Sequence, residues 1–189
     1  MRWLTTGSIL AVLVASAAPA RAQATTHYSV AAATAHYGPS AAVLLGLATN
    51  DLNVGFGARG GYTLPNNIYV GGTFIYHFGS SSESTLNGVS FKSSSHLFYF
   101  GPEGGYDLVV GPVLIRPYLG LGFESQSVTF TCTPAALCQG STTDSNFALW
   151  VGGHVLYPIS NFFVGGDLRA LFVSNANSIG IFAVGGMNF

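Results

Sequence analysis

An all-β, eight-stranded antiparallel up-and-down transmembrane β-barrel is the architecture that three features of this sequence predict. Residues 1–22 read as an export leader, charged side chains make up only 7% of a chain that is 49% hydrophobic, and residues 41–189 fall into segments of period-two alternation. Soluble domains carry ~25% charged residues, so this charge content and a mean hydropathy of +0.44 point to a second solvent besides water. Past residue 22, glycines and polar residues interrupt every apolar run before the roughly 18 residues that a spanning helix requires. A closed barrel is the other way to satisfy backbone hydrogen bonds in lipid.

The leader has a basic start at Met1-Arg2-Trp3, an apolar core over residues 9–18 and a small-x-small site at Ala20-Arg21-Ala22, which places cleavage after Ala22. Residues 23–40, with His27, Tyr28, His36 and Pro39, form a lead-in that either lengthens the first strand or simply precedes it. The barrel domain is 41–189, with strands expected near 41–48, 52–64, 68–78, 95–108, 113–127, 145–157, 162–172 and 178–189. Most reach the ~9–11 residues of a tilted membrane strand. Pro65-Asn66-Asn67, Gly111-Pro112 and Pro158-Ile159-Ser160-Asn161 read as tight turns, and the polar stretches 79–94 and 129–144 read as long loops. Short turns on the periplasmic rim and longer loops on the outer rim are how such barrels are built, although 49–51 and 173–177 are short for outer loops.

The charges sort by face. Splitting the strands by parity puts Arg59, Glu103, Asp107, Arg116, Glu124, Asp167 and Arg169 on one side and apolar residues or glycine almost throughout on the other. Pairing Val110 with Val113 sets Asp107 opposite Arg116; pairing Tyr157 with Phe162 and Val173 with Ser178 keeps the last three strands consistent. An arginine facing lipid near the midplane costs about 2–4 kcal/mol, so the charged face is the lumen. A soluble barrel or sandwich would show the reverse pattern. Outward aromatics, among them Tyr62, Phe78, Phe98, Tyr106, Phe123, Phe147, Tyr157, Phe162, Phe172 and Phe189, lie toward strand ends as interfacial girdles require.

Gly104-Gly105-Tyr106-Asp107, the run Arg116-Pro117-Tyr118-Leu119-Gly120-Leu121-Gly122 and the ending Gly185-Gly186-Met187-Asn188-Phe189 resemble the small outer-membrane β-barrel family, the eight-stranded group that includes the transmembrane domain of OmpA and the OmpX-like and opacity-like proteins. The resemblance spans roughly residues 41–189. It implies residence in the bacterial outer membrane, contact with its lipid and lipopolysaccharide, and a terminal Phe189 read by the barrel-assembly machinery. Met187 departs from the aromatic that many members carry there. Unlike full-length OmpA-type proteins, no wall-binding domain is expected after the last strand.

The three arginines and four carboxylates of the inward face predict an internal salt-bridge network, because charges withdrawn from water must be paired. Its simplest role is structural, filling a barrel too narrow for an open channel; the alternative is a gate that opens a narrow conduit for ions or small solutes. Cys132 and Cys138 are expected to pair in an oxidising compartment, closing a small ring for about 2 kcal/mol. A metal site is disfavoured because neither a second thiol pair nor a neighbouring histidine accompanies them. No cofactor is expected. Gly55-Phe56-Gly57-Ala58-Arg59-Gly60 matches the dinucleotide fingerprint in letters but continues as strand, where a helix N-terminus is needed. His77, His96, Ser94, Ser95 and Glu83 near the outer rim raise a lipid hydrolase or acyltransferase as an alternative, without a spacing that sets a nucleophile beside a base. Too few basic residues exist for nucleic acid. The reading is a monomeric, non-enzymatic structural or surface-interaction protein whose outer loops could recognise a partner the sequence does not name.

Overall fold

The computed structural model describes residues 36–86, 89–133, 139–174 and 177–189. The leader with its cleavage site, residues 23–35 of the lead-in, and Cys138 lie outside the described residues. Within them every regular element is a strand: β1 Gly38–Ala48, β2 Asn53–Thr63, β3 Ile68–His77, β4 Ser81–Leu86, β5 Val89–Tyr106, β6 Leu108–Val110, β7 Val113–Thr133, β8 Gln139–Ile159, β9 Phe162–Val173 and β10 Ser178–Asn188. All pairings among them are antiparallel. The ring runs β1-β2-β3-β5-β7-β8-β9-β10 and closes through β10 onto β1, from Ser40 opposite Asn188 to Ala48 opposite Gly180. β4 prolongs the β3 stave and β6 prolongs the β5 stave, so the closed barrel has eight staves.

Apolar residues clothe the outside. Val43, Ile181 and Leu168 are 67%, 63% and 58% exposed, whereas Arg59, Arg116 and Arg169 are 6%, 7% and 2% exposed. That is the inverse of a water-soluble barrel and matches a wall in contact with acyl chains. Inside, glycine makes room for bulk: a Cβ on Gly120 would overlap the Trp150 indole, and one on Gly71 would overlap the Tyr69 hydroxyl. Gly55 and Gly57 of the fingerprint run lie within β2 and face His77 and Ile75 in the same way.

Tight turns close one rim. Leu64 and Ile68 bond across the Pro65-Asn66-Asn67 turn at 2.8 Å, and Gly111 takes φ 59° ahead of Pro112 in the two-residue β6–β7 hairpin. Glycine at the first central position, followed by a residue whose ring holds φ negative, suits a turn that matches strand twist. Val110 pairs with Val113 as expected. Two other hairpins slide by two residues. Tyr157 pairs with Val164 and not Phe162, because the turn is only Ser160-Asn161, with Ser160 at φ 56°, and β8 runs on through Pro158. Ser178 pairs with Leu171 and not Val173; its stave is held by the β1 ladder and by two bonds between Thr49 and Ile179 at 2.9 Å. A shift of two leaves every side chain on its face.

The larger departure is at the outer rim. Residues 79–94 and 129–144, expected as loops, are mostly strand: β4, the first part of β5, the end of β7 and the start of β8 continue the ladder as a ribbon beyond the barrel. Serine and threonine occupy both faces there, so no hydrophobic contrast betrays the period of two, although the register continues unbroken. Gly38–Ser40 lengthen β1, the first of the two readings of the lead-in.

Candidate functional site

Two ionic clusters occupy the lumen, one above the other. Nearest the tight-turn rim, Asp107 follows β5, where its amide donates to the Asn67 carbonyl at 2.8 Å, and the unbroken register with β7 sets it against Arg116. Arg116 donates to both carboxylate oxygens, from Nε at 2.5 Å and Nη2 at 2.8 Å, and to Thr63 Oγ1 at 3.2 Å. Thr63 in turn donates to Asp107 at 3.3 Å, and the guanidinium lies 3.9 Å from the Tyr69 ring centre. A fork meeting a carboxylate over an aromatic face satisfies arginine's charge, planarity and donors together. A recess at this end is lined by His36, Ser40, Asn188 and Phe163 as well as by the pair itself.

The second cluster is centred on Asp167. It accepts from Tyr118 Oη at 2.9 Å, from Arg169 Nε at 3.0 Å and Nη2 at 2.7 Å, from Arg59 Nη1 at 3.3 Å and from His154 Nε2 at 2.5 Å. His154 is the cross-strand partner of Asp167 on β8. Its other nitrogen, Nδ1, lies 2.9 Å from Arg59 Nη1. Arginine can only donate, so Nδ1 is the bare acceptor and the proton sits on Nε2, facing the carboxylate: a neutral imidazole in one tautomer satisfies both contacts. Arg59 also pairs with Glu103 through Nε and Nη2, the latter at 2.9 Å, and Trp150 Nε1 donates to the same carboxylate at 3.4 Å. Arg169 reaches up to the Tyr99 hydroxyl at 3.1 Å.

Above these clusters the lumen turns apolar. Leu44, Ile75, Leu97, Ala148, Trp150, Leu171 and Phe182 are all buried. Tyr99 packs between Trp150 at 5.4 Å and His77 at 6.2 Å, and Phe182 meets His77 edge-on. From the tight-turn rim toward the ribbon the lumen thus stacks two ionic clusters and a largely apolar layer, in which Glu124 stands opposite Tyr99.

Six of the seven charged residues singled out from the sequence are brought into these two clusters. Glu124 is not: it is buried, accepts only from Asn146 Nδ2 at 2.9 Å, and touches no arginine among the described residues. Spacing could not reveal this, because Glu124 lies far enough up β7 that all three guanidinium groups are already engaged below it. The neutral partners Thr63, Tyr69, Tyr99, Tyr118, Trp150 and His154 are set inward by strand parity alone, with no charge to mark them in the sequence. Cys132 is buried on the ribbon, and its expected partner lies outside the described residues. Phe189 ends the chain two-thirds exposed, its amide donating to the Pro39 carbonyl at 3.0 Å.

The rim residues raised as a nucleophile and base stand apart. His77 faces the lumen against Tyr99 and Phe182, while His96 stacks on Tyr76 on the outward side at 5.9 Å. Ser95 donates to the Ser80 carbonyl, and Glu83 accepts from Ser90 at 2.7 Å.

This geometry has counterparts of known structure. Neisserial surface protein A is 19% identical, with a TM-score of 0.52 over 81% of this chain and 97% of that one. A major outer membrane protein from Thermus thermophilus is 12% identical, with a TM-score of 0.57 over 80% and 98%. Ail, the attachment invasion locus protein of Yersinia pestis, in complex with the heparin analogue sucrose octasulfate, is 15% identical, with a TM-score of 0.50 over 80% and 96%. These likenesses are of fold. No curated protein matches the chain. The family model described as the outer membrane protein beta-barrel domain matches residues 8–183. With an apolar wall, an enclosed ionic lumen and that match over most of its length, the chain belongs to the outer membrane protein β-barrel domain family.

Proposed function

We propose that the protein is a monomeric, non-enzymatic barrel that is exported by its leader, assembled by the barrel-assembly machinery through its Phe189 end, and kept closed by its lumen while its outer ribbon meets partners. The observation that carries the closed reading is the layering of the lumen: two ionic clusters in which each arginine is paired with a carboxylate, beneath a buried layer of Leu44, Ile75, Trp150, Leu171 and Phe182. Buried ion pairs with satisfied hydrogen bonds resist opening, because breaking one strands the other charge. Planar-bilayer recording tests this. The intact protein is expected to give no resolvable openings, and steady unitary currents from it would defeat the closed reading.

A gated pore is the second reading, and one observation favours it: Arg59 is shared between Glu103 and Asp167, so two pairings of the same guanidinium are within reach. Voltage-dependent openings abolished in Arg59→Ala would select it. A lipid-modifying enzyme has less support, since His77 and His96 sit on opposite faces and neither bonds to a serine among the described residues. Unchanged acyl content after incubation with lipopolysaccharide is the expected result.

For the surface role, Phe91 and Phe130 lie diagonally across the β5–β7 ladder on the lumen-side face of the ribbon, 40% and 50% exposed, lining a recess with Ser82, Ser84 and Ser93. Contacts of this kind lie beyond the bilayer, where lipopolysaccharide sugars or a protein could reach them.

A further inference from the structure

Among the described residues seven charged side chains are buried in the lumen, and the three arginines take three of the four buried carboxylates: Arg59 with Glu103, Arg116 with Asp107, and Arg169 with Asp167. Glu124 is the carboxylate left over. It is 3% exposed, its Oε1 accepts from Asn146, and its Oε2 has no hydrogen-bond partner among the described residues. A carboxylate taken out of water with one weak donor and no counter-charge is costly, so something must neutralise it.

Among the described residues no cationic side chain bonds to it. Arg169, the guanidinium on the same side of the lumen, is committed to Asp167 and the Tyr99 hydroxyl. Lys92 falls on the outward side of the ribbon, opposite Glu83 and Thr131. His77, on the lumen side, packs on Tyr99 and Phe182, and His96 stacks outside on Tyr76. The sequence stretches 87–88, 134–138 and 175–176 contain no lysine, arginine or histidine.

What surrounds Glu124 is oxygen. Asn146 is its cross-strand partner, and because Asn146 Nδ2 donates to Glu124, the amide oxygen of Asn146 is left free to coordinate. One step outward on the same face, Gln126 pairs with Asp144. Directly opposite pairs have Cβ atoms roughly 5 Å apart and diagonal ones ~7–8 Å, within the reach of Glu and Gln side chains. Two carboxylates and two amides, all oxygen donors, suit a hard cation bonded at ~2.3–2.6 Å, with water completing the shell. Among the described residues no cluster of three His, Cys, Asp or Glu side chains could hold a metal, so this is a sparser site that depends on its amides.

We propose that Glu124, with Asn146, Gln126 and Asp144, binds a divalent cation of the Ca²⁺ type at the outer mouth of the lumen. The low ligand charge places its affinity in the range of extracellular modules, ~10⁻⁴–10⁻³ M. The site joins the leftover charge of the lumen to the base of the ribbon, so its occupation ties the β7–β8 hairpin to the barrel.

The test uses Tb³⁺, an oxygen-seeking stand-in for Ca²⁺, on the folded full-length barrel in detergent. Tyr99 stands opposite Glu124 in the ladder, so it and the neighbouring Trp150 sensitise Tb³⁺ emission. A saturable signal is expected, reversed by Ca²⁺, with the midpoint raised at least tenfold in Glu124→Gln and several-fold in Asp144→Asn. Glu83→Gln, on the far ribbon strand, should leave it unchanged. An absent saturable signal overturns the site, as does a midpoint that Glu124→Gln and Asp144→Asn leave in place. Should Glu124→Gln fail to fold, the exposed Asp144→Asn decides alone.

Discussion

Asp107 and Arg116 face each other across the β6–β7 hairpin and bond through both carboxylate oxygens, with the Tyr69 ring beneath the guanidinium and Thr63 bridging the two. Four elements, β2, β3, β7 and the β5–β6 junction, meet in that one pair. It ties the hairpin end of the β5–β7 seam to β2 and β3.

Arg116→Ala should therefore destabilise the barrel by about 3–5 kcal/mol, since it leaves Asp107 buried with only Thr63 for company. Removing both members, in Arg116→Leu with Asp107→Leu, should cost less than the single change. Urea unfolding in lipid vesicles, followed by the unheated gel shift, measures both. Equal losses in the single and double variants would show the pair to be inert.

Glycine should be replaceable on one face of the wall and not on the other. A methyl at Gly120 would collide with the Trp150 indole, so Gly120→Ala is expected to cost about 1–3 kcal/mol. At Gly185 nothing lies within 4 Å, and the same change there should be neutral or stabilising by about 0.5 kcal/mol through reduced backbone freedom in the unfolded chain. The same vesicle assay compares the two.

Lipid contact is testable on the most exposed apolar position. Val43→Arg, at the midpoint of β1, should lower stability in bilayers by about 2–4 kcal/mol. The wild type and the variant should refold alike in short-chain detergent, where the arginine can reach water. A loss of the same size in both solvents would argue for an internal cause.

Cys132 is buried near the tip of the ribbon, and its proposed bond to Cys138 closes a short loop. Both thiols should resist alkylation in the unreduced protein and react after reductant. Cutting the bond should loosen the ribbon and leave the heat-stable barrel band unchanged, because the strands that close the cylinder pair well below Cys132. Free thiols in freshly isolated protein would remove the bond from consideration.

The barrel was legible because lipid enforces a contrast between the faces of a strand: Leu119 against Tyr118, Leu168 against Asp167. Where hairpin registers slid by two residues, at Tyr157 and Ser178, that contrast kept each side chain on its proper face while the turn length went unseen. Beyond the membrane the contrast vanishes. Ser81–Leu86 and Gln139–Asp144 therefore looked like loops, although their ladders continue. The arginine–carboxylate clusters could be anticipated as a set because burial demands pairing, but which acid would be left over depends on three-dimensional height along the staves. Periodicity does not carry that information.

β1, β2, β9 and β10 stop at Ala48, Asn53, Val173 and Ser178, while the neighbouring staves climb on to Leu86, Val89, Thr133 and Gln139. The mouth is consequently walled along one contiguous half of its circumference and level along the other. A visitor from outside finds an open doorstep over β1–β2–β10 and a curved backrest across from it. At that mouth the molecule has a front and a back.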